Sequence, residues 1–65
     1  MNLPKAILQL REEQNLKQWQ FKLGKNQMSL IETGKVTPSI ETLQRISDTL
    51  GIKFSELISL AENLK

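Results

Sequence analysis

The sequence predicts an all-α fold, a compact bundle of four to five helices. Apolar residues recur at three- and four-residue intervals, which lines them up on one face of a helix. Breaking residues punctuate the chain regularly, at Pro4, Asn15, Gly24, Gly34, Pro38 and Gly51. The apolar–polar alternation that a half-buried strand needs is nowhere long enough to matter.

The first helix is expected over residues 3–14. Leu3, Ile7 and Leu10 share a face. Asn2 can accept from the free N–H groups of the first turn, and Pro4 is tolerated there because its missing N–H breaks no bond. Asn15 suits the left-handed turn that stops the helix, and Leu16 then folds back on the core. A short second helix is expected over 17–23, with Phe21 and Leu23 apolar and Gly24 as its stop. The third is expected over 25–33, with Met28 and Ile31 facing inward and Gly34 as a left-handed stop. The fourth, over 38–50, takes Thr37 as N-cap and Pro38 at its first position, with Glu41 near the positive end of the helix dipole. Ile40, Leu43, Ile46 and Leu50 form its buried stripe, and Gly51 closes it. The fifth, over 53–63, carries Phe54, Leu57, Ile58 and Ala61, with Leu64 just beyond and Leu60 on a flank.

The 65 residues make one domain with a thin core. The absence of Cys, His and Tyr removes the thiolate nucleophile and the commonest general base and transition-metal ligand, so an enzyme is not expected. No phosphate loop, nucleotide fingerprint or metal-ligand cluster is present, and no cofactor, metal or small-molecule ligand is indicated. Glu12 and Glu13 are adjacent and so point to different faces, as solvated residues do, while Glu32 is expected to pair with a nearby Lys or Arg. The longest apolar run, Ala6-Ile7-Leu8, falls far short of the roughly 20 residues that cross a bilayer. A soluble, cytoplasmic protein with no membrane partner is the expectation.

Net charge is +2, but it is unevenly spread. Residues 17–35 hold Lys17, Lys22, Lys25 and Lys35 against Glu32, a sum of +3, between a neutral segment before and a segment of −1 after. A positive middle between such flanks suggests a face that attracts an anion.

Three stretches then read together: Leu10-Arg11-Glu12-Glu13-Gln14-Asn15-Leu16-Lys17-Gln18, Ile31-Glu32-Thr33-Gly34-Lys35 and Pro38-Ser39-Ile40-Glu41-Thr42-Leu43. With Leu50-Gly51-Ile52 behind them, in this order and with this punctuation, the chain resembles the Cro/phage-repressor-like helix-turn-helix family, also called XRE-type, over about residues 3–58. The resemblance implies a lambda-repressor-like DNA-binding domain. Its second and third helices form the helix-turn-helix, its third helix lies in the major groove, and dimers bind two half-sites about one helical turn apart. The chain departs from the pattern in the middle. Gln18 to Gly24 is six steps and Gly24 to Glu32 is eight, each about two short of the family's helix-turn-helix spacing. Either the protein is genuinely shortened in helix 2 and the turn, or about four residues are missing from the sequence.

Counted back from Glu32, the resemblance places Lys25, Asn26, Gln27 and Leu30 where bases are read. Asn and Gln can pair with adenine, Lys with guanine, and Leu can touch a thymine methyl. It places Gln18 against a phosphate at the start of helix 2, with Lys17 where a Ser or Thr cap is usual, and Thr33, Lys35 and Thr37 in the phosphate-contacting loop after helix 3. Trp19 either lies against the sugar–phosphate backbone or covers the core. An apolar strip of Leu57, Leu60, Ala61 and Leu64 is the expected homodimer contact. The expected function is a sequence-specific transcriptional regulator on double-stranded DNA. The rival is a protein-interaction or antitoxin-like module whose shortened motif no longer docks on DNA.

Overall fold

In the computed structural model, residues 1–64 are described, and they form four α-helices and one 3-10 turn. Helix α1 spans Leu3–Glu13, the 3-10 turn Gln18–Phe21, α2 Gln27–Glu32, α3 Ile40–Leu50 and α4 Phe54–Asn63.

Helix α1 begins and ends on local chemistry. Asn2 Oδ1 accepts from the Lys5 N–H at 3.1 Å, Pro4 sits in the first turn, and Asn15 takes a left-handed φ of 57° just past the C-cap Gln14. Gly34 and Gly51 have φ of 77° and 73°, so both are the left-handed stops that the sequence predicts. Gly24 is not. The residue that turns left-handed after the 3-10 turn is Lys22, with φ 55°.

Two other boundaries differ from expectation. Helix α3 is capped by Ser39, whose Oγ accepts from the Thr42 N–H at 3.2 Å, so Thr37 is not the cap and Pro38 precedes the helix instead of opening it. Ser39 wins because its hydroxyl lies one step before Ile40, where the free N–H groups converge. Ile40 thereby becomes the first helical residue. It is 64% exposed, so it does not belong to the buried stripe. Ser47 joins Leu43, Ile46 and Leu50 inside, with its Oγ donating to the Gln44 carbonyl at 2.9 Å.

The core is a single cluster drawn from every element. Ala6 and Ile7 of α1, Phe21 of the 3-10 turn, Met28 and Ile31 of α2, Leu43, Ile46 and Leu50 of α3, and Leu57 and Ala61 of α4 are all buried. Helix α1 packs against α4, α2 and α3, and so serves as the scaffold's spine. Two polar ties fix its ends: the Asn2 N–H donates to the Ala61 carbonyl at 2.8 Å, and Gln14 Nε2 donates to the Leu50 carbonyl at 2.8 Å. The Cα radius of gyration is 10.4 Å, close to the ~11 Å of a compact chain of this length.

Candidate nucleic-acid interface

The segment between Leu16 and Gln27 departs most from expectation. Where a second α-helix over 17–23 was expected, one 3-10 turn of four residues forms. Lys17 supplies no side-chain cap, but Gln20 reaches back and its Oε1 accepts the Lys17 N–H at 2.6 Å. The turn stays short because its only buried side chain is Phe21, so one apolar anchor has to hold it. Four residues cannot build a macrodipole. The phosphate site expected at the helix end by Gln18 thus loses its electrostatic basis. Gln18 itself is turned toward the protein, with Nε2 donating to Glu32 Oε1 at 2.9 Å.

Helix α2 is also shorter than expected. It starts at Gln27, so Lys25 and Asn26 stand in the turn before it, with Asn26 left-handed at φ 64°. Asn tolerates that conformation better than most residues. Met28 and Ile31 are buried, as expected, and tie the helix to the core. Lys25, Asn26 and Gln27 are exposed together at its leading end, and Leu30 is half-buried one turn later. The face presented outward is six residues of helix, about 9 Å long.

An ion pair adds to the apolar anchorage of this short helix. Arg11 of α1 forks onto Glu32 at the end of α2, with Nε donating to Oε2 at 2.6 Å and Nη2 to Oε1 at 3.1 Å. Its Nη1 donates to the Leu16 carbonyl at 2.9 Å. The two side chains are 15% and 5% exposed, so little solvent screens them. The hydrogen bond to Glu32 holds the Arg11 guanidinium above its ordinary pKa, against a smaller opposing effect of burial. The sequence calls for a Lys or Arg beside Glu32 without saying which. The signal was there in outline: Arg11 lies four residues after buried Ile7 and Glu32 directly follows buried Ile31, so both flank inward faces.

This pair also changes the surface charge. Glu32 is the only acid between residues 17 and 35, and it is consumed by Arg11 from outside that segment. Lys17, Lys22, Lys25 and Lys35 remain, all exposed and none in an ion pair among the described residues. Lys22 was not among the expected contacts, although the charge of the segment points to it.

Of the remaining expected phosphate contacts, Thr37 is exposed, and Thr33 is exposed with its hydroxyl donating to the Ser29 carbonyl at 2.8 Å. A family model described as helix-turn-helix matches residues 7–57. The chain belongs to the Cro/phage-repressor-like, XRE-type helix-turn-helix family. As a member of that family it is a DNA-binding regulator, of a kind generally without enzymatic activity. No curated protein matches it. Among the described residues, no helix of this helix-turn-helix domain is long and apolar enough to cross a membrane.

The expected dimer strip needs correction. Leu57 and Ala61 are each 0% exposed and complete the core of the single chain, so a partner cannot touch them. Leu60 and Leu64 pack on the edge of the core and are half-buried. The helical period places residues four apart on one face, and here Leu57 and Ala61 take the inner one.

Proposed function

We propose that this protein regulates transcription by inserting the leading end of α2 into the major groove of an operator. The observation that carries the reading is the exposure of Lys25, Asn26 and Gln27 at one end of a helix whose other face is locked into the core by Met28 and Ile31. A groove about 12 Å wide accepts a helix end of this size. In this reading Gln27 and Asn26 pair with adenine edges, Lys25 with guanine, and Leu30 meets a thymine methyl. Lys17, Lys35 and Thr37 hold phosphates and set register, while Gln18 and Thr33 join them only by giving up their bonds to Glu32 and Ser29. Two copies act on a two-fold operator, meeting through Leu60 and Leu64 at the edge of α4.

Gel-shift titration at two salt concentrations, with random and selected duplexes, tests this. Two phosphate lysines per subunit in a dimer predict a slope of log K against log salt of about −3.6, roughly a hundredfold loss from 50 to 200 mM. A second reading, a protein-interaction module on the same scaffold, is favoured by the reduction of the helix before the turn to four residues. Absence of binding at low salt would select it.

A further inference from the structure

Trp19 is 76% exposed, the most exposed large apolar side chain of the chain, so it does not cover the core. It lines a cleft of 270 Å³ together with Gln18, Leu23, Lys25, Asn26 and Gln27. That volume falls just below the roughly 300–1,000 Å³ of sites for drug-sized ligands, so the cleft has room for one planar ring system and little more. Its polar lining is uncommitted. Gln18 commits its Nε2 to Glu32, but the side-chain amides of Asn26 and Gln27 have no hydrogen-bond partner among the described residues. The backbone N–H groups of Leu23, Gly24, Lys25 and Asn26 have no backbone acceptor among those residues either. Lys17 and Lys22 flank the turn that carries the indole, Lys25 lines the cleft, and the segment's only carboxylate is held by Arg11.

An open aromatic ring, free amides and unpaired lysines together match one ligand chemistry. The indole face attracts a flat π-system. Free Asn and Gln amides, each with a donor and an acceptor, match the edge of a nucleobase, and lysines match the phosphates on either side of it. A base inside a duplex does not offer its face, because its neighbours in the stack cover it; an unpaired base does. We infer that this cleft is a stacking site for one unpaired nucleobase of a single-stranded nucleic acid. The base lies on the Trp19 ring with its edge toward Asn26 and Gln27, and Lys17, Lys22 and Lys25 neutralise the flanking phosphates. The stack does not depend on the docking mode proposed above. A regulatory consequence does rest on it: Lys25, Asn26 and Gln27 cannot serve a strand and an operator together, so a single strand releases the operator.

Trp19 is the only tryptophan, so its own fluorescence reports the stack. The intact protein is titrated at low salt with a short oligothymidylate, an abasic strand of the same length, a random duplex and thymidine monophosphate. Oligothymidylate quenches the emission by about half or more at saturation, as the ring stacks on a base, and the abasic strand and the duplex quench far less. Trp19→Ala weakens oligothymidylate binding in a gel shift about five- to a hundredfold, the range of one base–aromatic stack, and Trp19→Phe recovers most of that loss. The exposure of the ring keeps the fold out of the comparison, and unchanged far-UV circular dichroism spectra verify that. Equal quenching by the abasic strand means contact with the sugar–phosphate backbone and overturns the inference, as does equal quenching by the duplex. Thymidine monophosphate bound as tightly as the strand means a free-nucleotide site and overturns it too. So does oligothymidylate that fails to bind, or that binds without quenching. Oligothymidylate added to the protein on a selected duplex releases the duplex; quenching without release keeps the stack and overturns the shared tip. Absence of any duplex binding removes the docking mode and leaves the stack standing.

Discussion

Replacing Arg11 with Met removes three hydrogen bonds at once and leaves a nearly buried carboxylate without its cation. Two of the bonds go to Glu32, at 2.6 and 3.1 Å, and one to the Leu16 carbonyl at 2.9 Å. Glu32 is 5% exposed, and only Gln18 Nε2 remains to solvate it. Breaking one side of a buried pair costs about 3–5 kcal/mol, and the 15% exposure of Arg11 argues for about 3. A 65-residue domain has a total stability of about 3–10 kcal/mol, so the loss is a large part of the whole. The melting temperature should fall by about 12–24 °C. Urea unfolding followed by far-UV circular dichroism is the suitable assay, because the exposed Trp19 changes its surroundings little on unfolding. The double variant Arg11→Met/Glu32→Leu should recover most of the loss, since two apolar side chains in place of a buried pair are close to neutral. A loss under about 1 kcal/mol for Arg11→Met, the range of solvated surface pairs, would refute the claim that this pair anchors α2.

Arg11→Lys separates the two cations by pH. The folded-state pKa of Arg11 is raised, so its contribution is fully present below the unfolded guanidinium value and is lost only as pH rises through the still higher folded value. The deficit of Arg11→Lys, measured as a urea midpoint, should therefore widen as pH rises past about 10, where a lysine gives up its proton. A deficit that stays constant would show that charge is not what the pair supplies. Lys35→Ala should weaken binding to all duplexes alike and reduce the salt slope by about 0.9 per subunit, whereas Gln27→Ala should relax preference at one base position. Selection from a random duplex pool distinguishes the two, and identical behaviour would overturn the division of roles. Gly24→Ala should be neutral or gain up to about 1 kcal/mol, since open space surrounds the added methyl, which restricts mainly the unfolded chain. Gly34→Ala and Gly51→Ala should each lose about 1–2 kcal/mol at their positive φ. Thermal melts of the three variants check that contrast.

The sequence by itself determined four of the five expected helices, their order and most of the inward-facing residues. Those follow from local rules: the side-chain period of a helix, the Asn2 cap, and the left-handed stops at Asn15, Gly34 and Gly51. The exposed trio Lys25, Asn26 and Gln27 was legible only through the resemblance, counted back from Glu32, and the burial of Met28 and Ile31 beside it fits that register. Tertiary packing alone decided the rest. Whether residues 17–23 made a helix depended on the burial available to them, and one anchored phenylalanine supports only a turn. Ile40 and the pair Leu57 and Ala61 have the same kind of apolar spacing, yet the first is exposed and the others fill the core. Which cation met Glu32 was settled by the crossing of α1 and α2, and that choice left the surface of the helix-turn-helix carrying lysines alone. Periodicity assigns a residue to a face of its own helix, but only the neighbouring helices determine whether that face is covered.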